Sequence, residues 1–107
     1  MQPIRQFKPD GATDVFDWGV TFSNANAVLL SIDGEHGTFL NHASDKTYLI
    51  VSGSVVFYVE EEMFHCDSPS CFVIEKGKKH KMIGAVAKLV CISEPPFDPK
   101  SEDILNT

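Results

Sequence analysis

The chain has 107 residues, room for one domain, and its 43% hydrophobic and 22% charged content excludes a disordered, collagenous or membrane-spanning protein. Acidic side chains number 15 against 9 basic ones, a net charge of -6. Such a surface repels phosphate backbones and anionic lipid, so neither nucleic acid nor membrane is expected as a partner.

Met1-Gln2-Pro3-Ile4-Arg5 runs into polar residues with no apolar leader, and a cytoplasmic location is expected. An N-terminal strand region, 1–24, carries an apolar cluster of Phe16, Trp18 and Phe22, suited to covering a barrel or to a subunit interface. Strands are then expected at Ala27–Asp33, His36–Asn41, Lys46–Val51, Val55–Glu60, Met63–Cys66, Cys71–Glu75, His80–Ile83 and Val86–Ser93. These runs are rich in Val, Ile, Phe, Tyr and Thr. Turn signals such as Asp33-Gly34, Ser52-Gly53, Ser68-Pro69 and Lys76-Gly77 separate many of them. The tail after Pro99, Lys100–Asn106, is the only helix-permissive piece. Short strands punctuated this densely predict an all-β sandwich or barrel. The expected layout is a single domain, 1–107, with the barrel core at about 25–93 and a tail at 94–107.

Alternation assigns the faces. His36, Thr38, Leu40 and His42 share one face, opposite Gly37, Phe39 and Asn41. Lys46, Tyr48, Ile50 and Ser52 share another, and His80 and Met82 a third. Polar groups interleaved with apolar ones suit a barrel that holds a ligand better than a dry core. His36, bracketed by Gly34 and Gly37, reads as turn or rim, and His65 as a solvated hairpin residue. Cys66, Cys71 and Cys91 have no zinc spacing and no obvious base partner. They read as reduced thiols, with a small Cys66–Cys71 loop as the alternative.

The segment Thr38-Phe-Leu-Asn-His42-Ala-Ser-Asp-Lys46-Thr-Tyr-Leu-Ile-Val-Ser-Gly53 resembles the first motif of the cupins. That motif reads HxH, three or four residues, E, six residues, G. Counting back from Gly53 sets Lys46 on the glutamate position. Three intervening residues then set His42 on the second histidine and Leu40 on the first. The segment from Pro69 to Gly84 resembles the second motif, with Gly77 and His80 matching, Glu75 in place of its proline and Gly84 in place of its asparagine. The ending, Ser93-Glu-Pro-Pro-Phe-Asp-Pro99, is similar to that of small single-domain cupins.

The resemblance implies an all-β double-stranded jelly-roll barrel, usually a homodimer, with a small-molecule pocket between the two motifs. The family's three-histidine, one-glutamate metal site is reduced here to His42 and His80. Lys46 sets an ammonium where a carboxylate should neutralise the ion. The leading expectation is therefore a metal-free pocket without cofactor, binding an anionic or sugar-like ligand through His42, Lys46 and His80, with Tyr48, Leu40 and Met82 around them. No catalytic residue is assigned. One alternative is a metal-dependent enzyme of dioxygenase, isomerase or lyase type, with His42 and His80 as ligands of a divalent metal. The other is an interaction scaffold whose barrel is filled by Leu40, Tyr48, Ile50 and Met82.

Overall fold

The computed structural model describes residues 2–105. Three long strands dominate it: β3 (Ala25–Asn41), β4 (Asp45–Val59) and β7 (Lys79–Glu94). Strand β7 lies antiparallel between β3 and β4 along nearly its whole length. Strands β1 (Arg5–Asp10) and β2 (Thr13–Phe22) extend the sheet beyond β3, giving the order β1-β2-β3-β7-β4-β5. Strands β5 (Glu62–Asp67) and β6 (Ser70–Ile74) both pair with β4, at its two halves. The sheet curls round one core of alternating side chains, among them Leu30, Ile32, Ile50, Phe57, Met82 and Leu89.

Each long strand merges two of the expected short ones. Gly34 and Gly53, which signal turns, lie at bends within a continuous strand instead, whereas Lys76-Gly77 makes the turn between β6 and β7. Register shifts occur in β3–β7 between Ile32 and Gly34, and in β4–β7 on both sides of Ser52. A β-bulge of this kind bends a strand and raises its twist while pairing continues on either side. Gly53 sits at such a bend with φ +75, and a side chain there would meet the Val86 and Ala85 carbonyls. Gly84 sits opposite Gly34 at the matching bend of β7, where a Cβ would lie 2.6 Å from the Ile32 carbonyl. The pairing of long strands across bends lets one sheet supply both walls of a barrel.

The tail departs from the expected helix. Pro99–Ser101 makes a single 3-10 turn, with the Asp98 side chain accepting from the Lys100 N–H. The chain then forms strand β8 (Glu102–Ile104), which pairs with Phe39–Asn41 of β3. Asn106 lies outside the described residues. Phe16 and Trp18 stack at 6.2 Å, whereas Phe22 is exposed. Among the described residues no helix is long and apolar enough to cross a membrane.

Candidate functional site

A second bulge in the β3–β7 pairing decides which side chains face inward. Gly37 pairs with Lys81 but Phe39 with His80, so β3 spends one extra residue against β7. A one-residue slip sends every later side chain to the opposite face. His36 is buried before the bulge; Thr38 and Phe39 are buried one after the other; Asn41 is buried beyond it. The face expected to join His36, Leu40 and His42 therefore breaks. Leu40 is half-buried on the outer side. His42 is exposed, its Nε2 2.8 Å from Asp103 Oδ2. Neither lines the cavity described next.

A cavity of about 500 Å³ opens at one end of the barrel. Its wall is largely apolar, built from Val15, Val28, Leu30, Phe39 and Ile104, with Tyr48, Cys91 and Ser93 facing it from β4 and β7. Such a cavity counts against the filled barrel of the scaffold alternative, although Tyr48, Ile50 and Met82 do pack in the core. Lys46 lines the cavity as well, only 8% exposed, and its Nζ donates to Glu102 Oε2 at 2.6 Å. Asn41 Nδ2 donates to the same oxygen at 3.3 Å, and the Lys46 ammonium lies 5.0 Å from the Phe97 ring. At the mouth Arg5 faces Asp17 at 3.5 Å.

His36, expected at a turn or rim, is a wall residue. Its Nδ1 lies 2.7 Å from Asp10 Oδ2 and 2.8 Å from Thr13 Oγ1. An ionised carboxylate only accepts, so Nδ1–H donates to Asp10 and Nε2 carries the free lone pair. Burial pushes the His36 pKa down, against the pull of the Asp10 carboxylate, and keeps the imidazole neutral near pH 7. Burial alone would raise Asp10. The Ala12 N–H, His36 and Thr13 outweigh it and hold the carboxyl below its usual value. The result is a neutral imidazole oriented by an ionised carboxylate, an arrangement fit for general-base work.

His80 and Met82 are both buried, Met82 within the core. The His80 ring lies 6.2 Å from Phe39 and borders a small outer groove of about 200 Å³ rather than the main cavity. Its Nδ1–H donates to the Lys78 carbonyl at 3.1 Å, and Nε2 has no hydrogen-bond partner among the described residues. Burial first, with the Lys46 charge adding to it, lowers its pKa to about 4. The unfolded chain takes up this proton near 6.5, the folded chain only near 4, so stability falls as the pH drops through that window. The expected loss is about 3 kcal/mol. Urea unfolding at pH 7 and pH 4 is expected to show a pH dependence smaller by about that amount in His80→Gln than in the wild type.

The inward positions also decide the fit to a metal. Taking four intervening residues in the first motif instead of three sets Phe39 and Asn41 on the two histidine positions, consistent with their burial. The motif then reads Phe39, Asn41, Lys46 and His80. Phe39 has no donor atom, and Lys46 is a cation already paired with Glu102. Asn41 Oδ1 accepts from the Ala43 and Ser44 N–H groups. Such a set does not fit a divalent ion. The expected metal pair of His42 and His80 is split, one exposed outside and the other buried inside. Among the described residues no three His, Cys, Asp or Glu side chains gather as a metal site.

His36 and Glu102 lie in the wall but outside the expected site residues. Gly34 and Gly37 on either side of His36 make it read as turn or rim. Glu102 reaches Lys46 from 56 positions away, on a strand of three residues that has no periodicity to read.

This architecture is the cupin-type barrel, an antiparallel jelly roll. Pac13 of Streptomyces, described as a nucleoside dehydratase, superposes with a TM-score of 0.86 at 23% identity, over 95% of this chain and 84% of that one. A variant of Pac13 is known with uridine. KdgF from Halomonas sp. gives 0.75 at 17% identity, over 90% and 92% of the two chains. Ectoine synthase from P. lautus gives 0.73 at 13%, over 94% and 80%. No family model and no curated protein sequence matches the chain.

Proposed function

We propose that the protein binds an uncharged sugar-bearing small molecule of nucleoside type in the barrel cavity, and removes water from it by metal-free acid–base chemistry. The observation that carries this reading is the cavity wall itself. Its charges cancel in pairs, Lys46 with Glu102 and Arg5 with Asp17, and one oriented base, His36, remains. A ligand with a full charge would have to break one of these pairs. A ligand with hydroxyls and a flat apolar face would meet partners as they stand. The volume, about 500 Å³, is in the range of small-molecule sites. The likeness to a nucleoside dehydratase is in the fold, and it favours the same substrate class.

The chemistry follows from the groups present. A sugar C–H next to a carbonyl is acidic enough for a neutral imidazole. His36 Nε2 takes that proton, the C–H electrons form a C=C bond, and the neighbouring C–O bond breaks. The departing oxygen takes back the proton held on the His36 imidazolium and leaves as water, which returns His36 to its neutral form, so substrate gives an unsaturated product plus water and no redox partner is consumed. Asp10 holds the imidazole and stabilises its charged form. Tyr48, whose phenol pKa is raised well above the ordinary value by burial, stays protonated as a donor in the cavity wall.

The test has two stages. Calorimetric titration with uridine is expected to give saturable binding. A carbonyl-bearing nucleoside is then expected to lose one water, read by mass spectrometry. Absence of binding by any nucleoside or free sugar would overturn the reading. Binding without water loss would keep the pocket and remove the reaction.

A further inference from the structure

We infer that Glu102, on the C-terminal strand, sets the specificity of the cavity by excluding anionic ligands, its carboxylate occupying the place on Lys46 that a ligand carboxylate or phosphate would take. The inference rests on the nucleoside-binding reading above and adds what the site refuses and which residue refuses it.

Lys46 is the starting point. An ammonium this buried needs a partner, and an anion is the best one available. In an open pocket the ligand would supply that anion, which is the expectation the sequence alone raises. The fold supplies it instead. Glu102 Oε2 lies 2.6 Å from Lys46 Nζ, and the two side chains are only 13% and 10% exposed. Asn41 Nδ2 donates to the same oxygen, so the carboxylate is held from two sides.

The strand that carries Glu102 is itself anchored. Its residues pair with Phe39–Asn41, and beside them the Leu105 N–H donates to the Thr38 carbonyl at 2.8 Å and the His42 N–H to the Ser101 carbonyl at 2.7 Å. Exposed His42 meets Asp103 on the same strand. Upstream, the Phe97 N–H donates to Asn26 Oδ1 at 2.9 Å, and the Ser44 hydroxyl donates to the Pro95 carbonyl at 2.8 Å. Glu102 is thus a fixed wall group and not a mobile tail residue.

The electrostatics then separate two ligand classes. An anionic ligand entering the cavity must displace a short charge-assisted bond, or sit beside a carboxylate whose counter-ion is shared. A neutral ligand with hydroxyl groups can donate to Glu102 and leave the pair intact. The discrimination is therefore carried as much by repulsion as by fit.

Uridine and uridine 5′-monophosphate, which differ by the phosphate, are the probes, titrated by calorimetry into the full chain and its variants. The wild type is expected to prefer uridine about tenfold or more. Glu102→Gln keeps the shape and the amide contacts and frees the Lys46 charge, so this preference is expected to shrink about tenfold through a gain for the monophosphate. Lys46→Gln leaves Glu102 as an unpaired negative group, and there the preference is expected to widen by a similar factor. A merely structural role for the pair would weaken both ligands together in both variants, and that result would overturn the inference. So would an unchanged ratio in Glu102→Gln. If the wild type binds neither probe, the nucleoside reading falls and the inference with it. Uridine binding with unshifted ratios sinks only the inference. Should Glu102→Gln not fold, the direction of change in Lys46→Gln decides alone.

Discussion

Gly53→Ala is expected to lose at least about 3 kcal/mol of folding stability, read as a fall in the urea midpoint at unchanged slope. Two effects add. Gly53 has φ +75, a conformation that costs an L-residue about 1–2 kcal/mol. The new methyl would also press on backbone that cannot yield, with the Ala85 carbonyl at 2.7 Å and the Ala87 Cα at 2.8 Å. These atoms belong to the bend of β7, which pairs with β4 on one side and β3 on the other, so moving them disturbs the central strand of the barrel. Gly77→Ala separates the two contributions. Gly77 has φ +84 with nothing within 4 Å of a Cβ, so it is expected to lose only the conformational part, about 1–2 kcal/mol. Equal losses at the two positions would refute the close-packing argument for Gly53.

His36→Gln is expected to lower the rate of water loss about 10²- to 10⁴-fold, with a far smaller effect on binding of an unreactive nucleoside. Asp10→Asn is expected to lower the rate as well, since an amide in that place no longer selects the Nδ1–H tautomer. The pH profile has a definite sign. His36 works as a base only when neutral, and burial sets its pKa below 6.5. The rate is therefore expected to fall on acidification, with its half-maximal point below pH 6.5. A rate whose half-maximal point lies above pH 6.5, or a His36→Gln variant that keeps full turnover, would remove His36 from the role of base.

Much of the fold could be read in the residues. The runs Lys46–Val51, Val86–Ser93 and their neighbours alternate in the way that a half-buried strand requires, and strands were found at all of them. Gly53 and Gly84 were also visible, but their meaning was not. A glycine marks a place where the backbone turns or another backbone comes close, and composition cannot say which. Here the long strands run on through both positions, because β7 pairs on each side of them.

The site was legible only in part. Lys46 and Tyr48 face the cavity because β4 keeps its alternation from Asp45 to Ile50, so counting by two was enough. The same counting failed on β3. One extra residue between Gly37 and Phe39 turned His36 and Phe39 to the same side and put Leu40 and His42 outside.

Local chemistry along the chain thus settled the strands, the turn-forming residues and the acidic surface, since each depends on a residue and its near neighbours. Pairing across the sheet settled the rest. The inward face of β3, the Asp10–His36 contact over 26 positions and the Lys46–Glu102 contact over 56 exist only once distant strands come into register. A slip of one residue in that register would exchange the cavity wall for the outer surface, so the groups that line the cavity belong to the strand pairing more than to any single segment.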